Sequence, residues 1–447
     1  MSVKNDNQSQ YKITQAYITS ERLGSNDASD RVNVNPSIVE LVFFESLEKA
    51  YISGQIAISD DQGFVDAIGF SGTERLFIEI ASEDPSLKPI MSRSFIMTSI
   101  DQTIKSNDAG QASVYVFTIL DEHALSSKTN KISRSVTDSL ENEITKICAQ
   151  DLNKNIDLSY LHPSIQNNVK VLIPYLHPLE ACEWLRDRAT TVNGCPLFLY
   201  ASIHDTNLRL GSLDKMLEQK PWNEQLPYLY SPSNVKKTEE KAPIHRTMQI
   251  QTMRSAKMQN TMKQLMAGGI GAVYNNTNLN TGQMSSQHFD VTKVLDKLKE
   301  NEVLPKEKEQ NIYPQNFKLE NDNEFLHNKE AKIYHQITST GTYGTWKSYH
   351  DELKPGSFTT KVGNYAIRNM LFKNMFEVTV PGAGFIVSKA SVGDIVTINT
   401  LSDDGDNTTS ATFDQLRSGD FLIYNVRHTF KNTRHDVVMS VCKLVRG

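Results

Sequence analysis

The chain has 447 residues, 38% of them apolar and 22% charged, with a formal net charge of −5. That length allows roughly two to four domains and at least one sizeable core, and the composition lies above the range of disorder. The acidic balance excludes tight phosphate binding, which needs clustered Lys and Arg; here the basic residues are scattered among acids.

No run of about 18 apolar residues is present, and Met1-Ser2-Val3-Lys4-Asn5-Asp6 lacks a signal-peptide core. The expectation is a chain that stays in the cytoplasm where it is made. Cys148, Cys182, Cys195 and Cys442 form no CxxC pair and no zinc spacing, so they read as reduced, buried thiols.

Residues 1–35 are polar and read as a flexible N-terminal arm. A first β-domain is expected over 36–122, with strands at Val39–Phe44, Tyr51–Ser59 and about 75–81, 93–103 and 113–120. Turn signals such as Asp60-Asp61-Gln62-Gly63 separate them, the pattern of a small barrel or sandwich. An α/β module follows over 123–232. Val136, Leu140, Ile144, Ile147 and Cys148 predict a helix between Ser133 and Leu152 with acids in its early part. A second helix opens at Pro178 and is expected to bury Cys182, Trp184 and Leu185. Pro196–Ile203 and Leu208–Gly211 predict a hairpin, and Ser212 can cap a short helix that Pro221 closes off.

An insertion is expected over 233–345. It starts with a charged loop and continues with Met248, Met253, Met258, Met262 and Met266, spaced five, five, four and four. The stripe predicts a core-facing helix. The alternative is an adaptable surface for another protein, with Met258, Met262 and Met266 as candidate contacts. Gly268-Gly269-Ile270-Gly271 ends this helix. It lacks a following GK[ST] and comes after a helix rather than before one, which excludes a phosphate loop. Ala272–Tyr274 and Met284–Phe289 predict a hairpin. Charge dominates from Asp290 to Lys332, read as a short exposed helix and a solvated linker. A second β-domain is expected over 346–447, opened by the helical stripe Val362, Tyr365, Ala366, Met370, Leu371 and Met375, and completed by strands from about 226–256.

Two stretches 326 residues apart read as one pair of strands. Phe95–Ser106 aligns without a gap on Phe421–Asn432, sharing Phe, Thr and Lys and placing apolar residues at the same second, third, sixth and tenth positions. Each continues through a polar turn into an apolar strand, Ser113–Leu120 or Val437–Val445. Each is preceded by a glycine-led strand, from Gly72 or from Gly393. The order points to one β-domain used twice. A subunit with two such domains can build a pseudo-hexagonal ring from three chains.

No constellation of catalytic residues emerges. Alternation puts His428 and Phe430 on one face of their strand and Arg427 and Thr429 on the other, and the reading for His428, His435 and Lys431 is a surface or hydrogen-bonding role. His162 and His177 each precede a proline, which marks turns. Cys182, Cys195 and His204 lack a fourth ligand and the tight spacing of a zinc site. Glu141 and Glu143 cannot face each other on a helix, so they form no glycosidase pair. No catalytic, cofactor-binding or metal-binding residue is nominated, and no cofactor is expected.

Ser113-Val114-Tyr115-Val116-Phe117-Thr118-Ile119-Leu120-Asp121-Glu122-His123-Ala124-Leu125 resembles the central baseplate hub of T-even-type contractile-tailed bacteriophages. So do Met266–Tyr274 leading into Gln287–Asp290, Val392–Val396, the terminal hairpin from Phe421, and the order of β-domain, α/β module, insertion and β-domain. The resemblance spans most of 39–447 and is weakest over 290–332.

It implies an α+β, β-rich fold: two tail-tube-like antiparallel β-barrel domains with an inserted α/β module. It further implies a structural protein without enzymatic activity, a homotrimeric ring at the centre of a virion tail baseplate, assembled in the host cytoplasm. Its partners would be a tail spike protein below, the first tail tube or tube-initiator ring and the tape-measure protein above, and baseplate wedge components around it. The hub half of type VI secretion spike proteins has the same architecture. The chain ends just after the last expected strand, so the spike is expected to be a separate polypeptide. DNA would pass through at ejection without specific binding, and no stable membrane association is expected. The competing class is a receptor- or carbohydrate-binding tail protein; the dispersed Trp184, Trp222 and Trp346 argue against it.

Overall fold

Alternating apolar and polar positions set most of this chain's strands, and the pairing of those strands was read from a computed structural model. It describes residues 11–20, 31–82, 90–104, 113–162, 171–231, 248–256, 260–279, 281–304, 317–320, 322–338, 359–401, 413–414, 417–432 and 434–443. Trp346, Met258 and the loop at 233–241 lie outside them.

The first part comprises β1 (Tyr11–Thr19), β2 (Val32–Asn33), β3 (Ile38–Ser46), β4 (Ser53–Asp60), helix α1 (Phe64–Ile68), β5 (Arg75–Ser82), β6 (Met91–Ile104) and β7 (Ser113–Asp121). Tyr11–Thr19 was expected in the flexible arm. It is instead a strand antiparallel to β5, with Ala16 and Ile18 buried. The many polar residues of β1 lie on its outer face, and three apolar positions (Ile13, Ala16, Ile18) are enough to hold the inner one.

The middle part holds α2 (Glu122–Thr129), β8 (Ser135–Val136), α3 (Leu140–Asp151), β9 (Ile156–Asp157), β10 (Val171–Leu172), α4 (Pro178–Arg186), β11 (Leu197–Ala201), β12 (Leu208–Ser212) and α5 (Leu213–Leu217). The α3 helix starts later than its apolar spacing suggested. The Ser139 side chain accepts the Asn142 N–H at 3.2 Å, satisfying one orphan donor of the first turn. Ser212 stands at the start of α5 but makes no such cap; its hydroxyl accepts the His162 N–H instead. Trp184 is only partly buried.

Then come β13 (Tyr228–Tyr230), β14 (Thr252–Ser255), α6 (Thr261–Met266), β15 (Gly271–Asn278), β16 (Met284–Asp290), α7 (Val291–Glu300) and β17 (Ile333–Thr338). The single methionine helix does not form. Met248 is buried, Met253 lies on β14, and Asn260 caps a new helix, so the stripe is cut by a strand. A spacing of five carries no helical face, which is why it fails there. Met262 and Met266 are 67% and 68% exposed rather than core-facing. The α7 helix was expected to be exposed, yet it buries Val291, Leu295 and Leu298 while its charges take the other side.

The last part holds α8 (Thr359–Leu371), β18 (Met375–Pro381), α9 (Ala383–Ser388), β19 (Ile395–Thr400), β20 (Gly419–Lys431) and β21 (Arg434–Cys442). Among the described residues, thirteen strands form one sheet, ordered β14-β18-β21-β20-β3-β4-β7-β6-β5-β1-β2, with β19 on β20 and β13 on β19. Taken by the named strands alone this pairing is an open path, antiparallel except at β13·β19. A parallel bridge outside them, Leu229 of β13 with Gln249, links β13 to the segment that runs into β14.

The same five-strand arrangement occurs twice along that path. The order β3-β4-β7-β6-β5 is matched by β14-β18-β21-β20-β19, antiparallel throughout. The β6·β7 register breaks between Met97 and Ser99, and β20·β21 breaks at the aligned place, between Ile423 and Asn425. The Met97 N–H donates to the Glu74 carbonyl at 2.9 Å as Ile423 donates to Asp394 at 3.0 Å. The Ser71 N–H donates to the Glu74 carboxylate, and Ser391 likewise to Asp394. The gap-free alignment holds to Ile100 and Val426. A second bulge at Asp101 then shifts β6 by one residue, so that Gln102, Thr103 and Ile104 stand where Arg427, His428 and Thr429 do.

Candidate functional site

The candidate site is the joint between the two five-strand sets. Residues Asn425–Lys431 of β20 leave the second set of strands and pair antiparallel with Ser46–Glu40 of β3. Leu41, Phe43 and Glu45 of β3 face inward, opposite Phe430, His428 and Val426. The two hydrophobic cores exchange residues across the seam: Phe430 packs in the first core and Leu47 in the second. The Phe430 ring lies 4.2 Å from that of His435 and 4.9 Å from that of Tyr11, centroid to centroid.

Beneath the seam lies a buried polar chain. Glu45, His428 and His435 are each 1% exposed. The His428 Nε2 is 2.8 Å from Glu45 Oε1, and its Nδ1 is 3.1 Å from His435 Nε2. The Ser391 hydroxyl donates to the other oxygen of Glu45. Burial pushes the Glu45 carboxyl up, but the hydrogen bond and electrostatic attraction of His428, with lesser help from His204 and the Ser391 hydroxyl, hold it below its ordinary value. Burial drives His435 well below the usual imidazole range, and the nearby His428 and His204 act in the same direction. His428 donates from Nε2, because the Glu45 carboxylate only accepts, and with both imidazoles neutral His435 donates from Nε2 to His428 Nδ1. His435 Nδ1 is then a lone pair without a hydrogen-bond partner.

Serine, histidine and carboxylate meet here, but in the wrong order for nucleophilic catalysis. The serine proton goes to the carboxylate rather than to an imidazole, so nothing activates its oxygen. The cluster is sealed from solvent as well. The expected two faces of β20 are observed, with His428 and Phe430 buried and Arg427 exposed. A surface role for His428 and His435 is overturned: both rings are buried, His428 against Phe385 and Phe430, and His435 against Phe430 and Gly382.

The middle part is wedged against the same seam. In β11 alternation serves two cores: Leu197, Leu199 and Ala201 face the first, and Phe198 and Tyr200 the second. A continuous apolar run buried on both faces is the result. Glu48, just after β3, is 3.3 Å from Arg186 of α4 and accepts the Tyr424 hydroxyl of β20 at 2.7 Å. Arg368 of α8 reaches Asp187 at 2.7 Å and the Leu197 carbonyl at 2.7 Å. Arg93 of β6 pairs with Asp121 at 2.9 Å and donates to the Ser202 carbonyl. Buried and half-buried charges hydrogen-bonded in this way fix orientation, since breaking one partner leaves the other stranded.

The remaining residues weighed from the sequence do not converge. Cys182 lies with its sulfur 3.8 Å from that of Cys148 in the first core, whereas Cys195 packs in the second. His204 presents its ring nitrogens to the Ile90 and Ala390 carbonyls. His162 meets Glu218 and His177 meets the Asn130 carbonyl. Glu143 pairs with Arg134. Glu45 was missed, although its signal was present: an acid at the inward position of Leu41-x-Phe43-x-Glu45 needs a buried partner.

No family model matches the sequence, and neither does any curated protein. Among solved structures, a tail protein from Neisseria meningitidis MC58 superposes with a TM-score of 0.51 at 10% identity, over 97% of each chain. The likeness is one of fold across the whole length. The 43 kDa tail protein of prophage MuSo2 from Shewanella oneidensis gives 0.46 at 10% identity, over 97% of this chain and 98% of that one. An E. coli component of the type VI secretion system, described as structurally similar to T4 bacteriophage tail proteins, gives 0.41 at 8% identity over 97% and 76%. Among the described residues, no helix is long and apolar enough to cross a membrane.

Proposed function

We propose that this chain is a non-enzymatic structural protein of a phage tail, the central hub of the baseplate. The observation that carries the reading is the five-strand arrangement present twice with matching order, bulge and turn bonds. Each copy acts as one tail-tube-like barrel wall: the first over about 36–122, the second over about 346–447 completed by β13 and β14 from about 226–256. The module at 123–232 holds the two at a fixed angle through β11 and the buried charges. Three chains then supply six equivalent domains, so the ring presents three-fold symmetry to a spike below and approximate six-fold symmetry to the first tube ring above. Tape-measure and wedge proteins are its other neighbours, and its lumen forms part of the DNA channel.

The acidic composition suits a lumen that does not retain DNA. The exposed Met262 and Met266, with Met258 nearby in sequence, are a surface for one of these partners, because flexible thioethers adapt to varied contacts. Light scattering on the purified chain tests the reading. A mass near three times 50.4 kDa supports it, and a monomer at all accessible concentrations overturns it.

A further inference from the structure

Besides the second bulge of β6, the two copies of the five-strand arrangement differ in what pairs with the far half of the repeated strand. In the second copy, the far half of β20 is covered by β3, and Val426, His428 and Phe430 are buried. In the first copy, the equivalent half of β6 is uncovered. Ile100 to Ile104 are five consecutive exposed residues, with Ile100 at 37% and Ile104 at 51%. Among the described residues, Ser99–Ile104 pairs with β7 on one edge and with no strand on the other.

The strand that would cover it can be identified from the repeat. Pairing through β4 and β18 makes Leu41, Val42 and Phe43 of β3 equivalent to Met253, Arg254 and Ser255 of β14. Ala256, whose N–H donates to the Met375 carbonyl at 2.9 Å, continues the match at Phe44. Just before β14, the Met248 carbonyl and the Ile250 N–H bond to Leu229 of β13, but among the described residues no strand pairs with the outer edge of Thr252–Ser255. The chain thus carries one completed joint, β20 on β3, and the two separate halves of an equivalent joint, β6 and β14.

We infer that the outer edge of Gln102–Ile104 adds antiparallel to the outer edge of Arg254–Ala256 in a second copy of this chain, repeating between subunits the joint already made within one. The expected pairs are Gln102 with Ala256, Thr103 with Ser255, and Ile104 with Arg254, copied from Arg427·Phe44, His428·Phe43 and Thr429·Val42. The interface is heterologous, one subunit's first domain meeting the next subunit's second, so it generates a closed ring or a filament rather than a two-fold dimer. Edge strands left open in this way are templates for strand addition. Closure at three subunits rests on the hub reading; the pairing itself rests on the repeat.

The test is a Thr103→Cys, Ser255→Cys double variant of the full chain, oxidised under conditions of assembly and run on a denaturing, non-reducing gel. Both positions are exposed, and the native cysteines are all buried and unpaired, so background is low. Reduced, the variant should match the parent in native mass and melting temperature. Oxidised, the majority of chains should appear as covalent trimers. A mixture of the two single variants should give covalent dimers, and each single variant alone should stay monomeric. A native trimer whose double variant remains uncrosslinked overturns this joint but leaves the hub reading standing. Covalent dimers from one single variant alone overturn it in favour of a two-fold contact. A native monomer overturns both.

Discussion

Acid should loosen the seam between the two five-strand sets, and His435 is one group through which it acts. Its ring is buried and held neutral, well below the ordinary value of 6.5. Below pH 6.5 the unfolded chain takes up a proton at this position and the folded chain does not. The unfolded state therefore binds more protons, and stability falls with falling pH while being fully present above about 6.5. Each pH unit of withheld protonation is worth about 1.4 kcal/mol, so His435 can remove at most about 2 kcal/mol between pH 6.5 and 5.0. The perturbation that isolates it is His435→Gln, which keeps an amide donor toward His428 Nδ1 and does not titrate. Loss of stacking on Phe430 should cost about 0.5–1.5 kcal/mol at pH 7.5. Urea unfolding at pH 7.5, 6.5, 5.8 and 5.0 measures both effects. The parent should lose stability steeply below pH 6.5, and the variant should show a slope smaller by up to about 1.4 kcal/mol per pH unit. Equal slopes in parent and variant would show that His435 does not hold off its proton.

Three further outcomes follow from the same geometry. Phe430→Ala removes a ring shared by Tyr11, Phe43 and His435 across the seam and should cost about 3–5 kcal/mol by urea titration; a cost under about 1 kcal/mol would mean the seam is not packed this way. Asp394 is raised by burial to about 6, so the folded state keeps a proton that the unfolded state loses above about pH 4, and stability falls as pH rises through 6. Asp394→Asn, which keeps an acceptor for the Ser391 N–H, should gain about 1–3 kcal/mol at pH 7.5 and nothing at pH 4, and a loss at pH 7.5 would contradict the burial argument. At Gly382 an added Cβ would run into the His435 ring, so Gly382→Ala should cost about 1–3 kcal/mol in thermal unfolding, and a neutral effect would show that the ring can move aside.

Much of the strand layout was legible because alternation is a local property. The faces of β20, the hairpin of β11 and β12, and the start of α4 at Pro178 all follow from residues within a few positions of each other. Methionine spacing misled because the five-residue intervals crossed a strand, and α7 misled because its charges hid an apolar stripe of Val291, Leu295 and Leu298. The partner of a strand edge is not a local property. Nothing in Asn425–Lys431 says that its outer edge belongs to β3 rather than to β19, which takes the near half of the same strand. The seam was therefore invisible, and with it the burial of His428 and His435. Its one local trace was Glu45 on an apolar face.

Single-particle electron microscopy of the purified chain is the most direct measurement. Three-fold rings with six similar lobes around an open centre are expected, each lobe fitting one five-strand arrangement. Isolated single chains, or two-fold pairs with no central opening, would contradict the proposed ring.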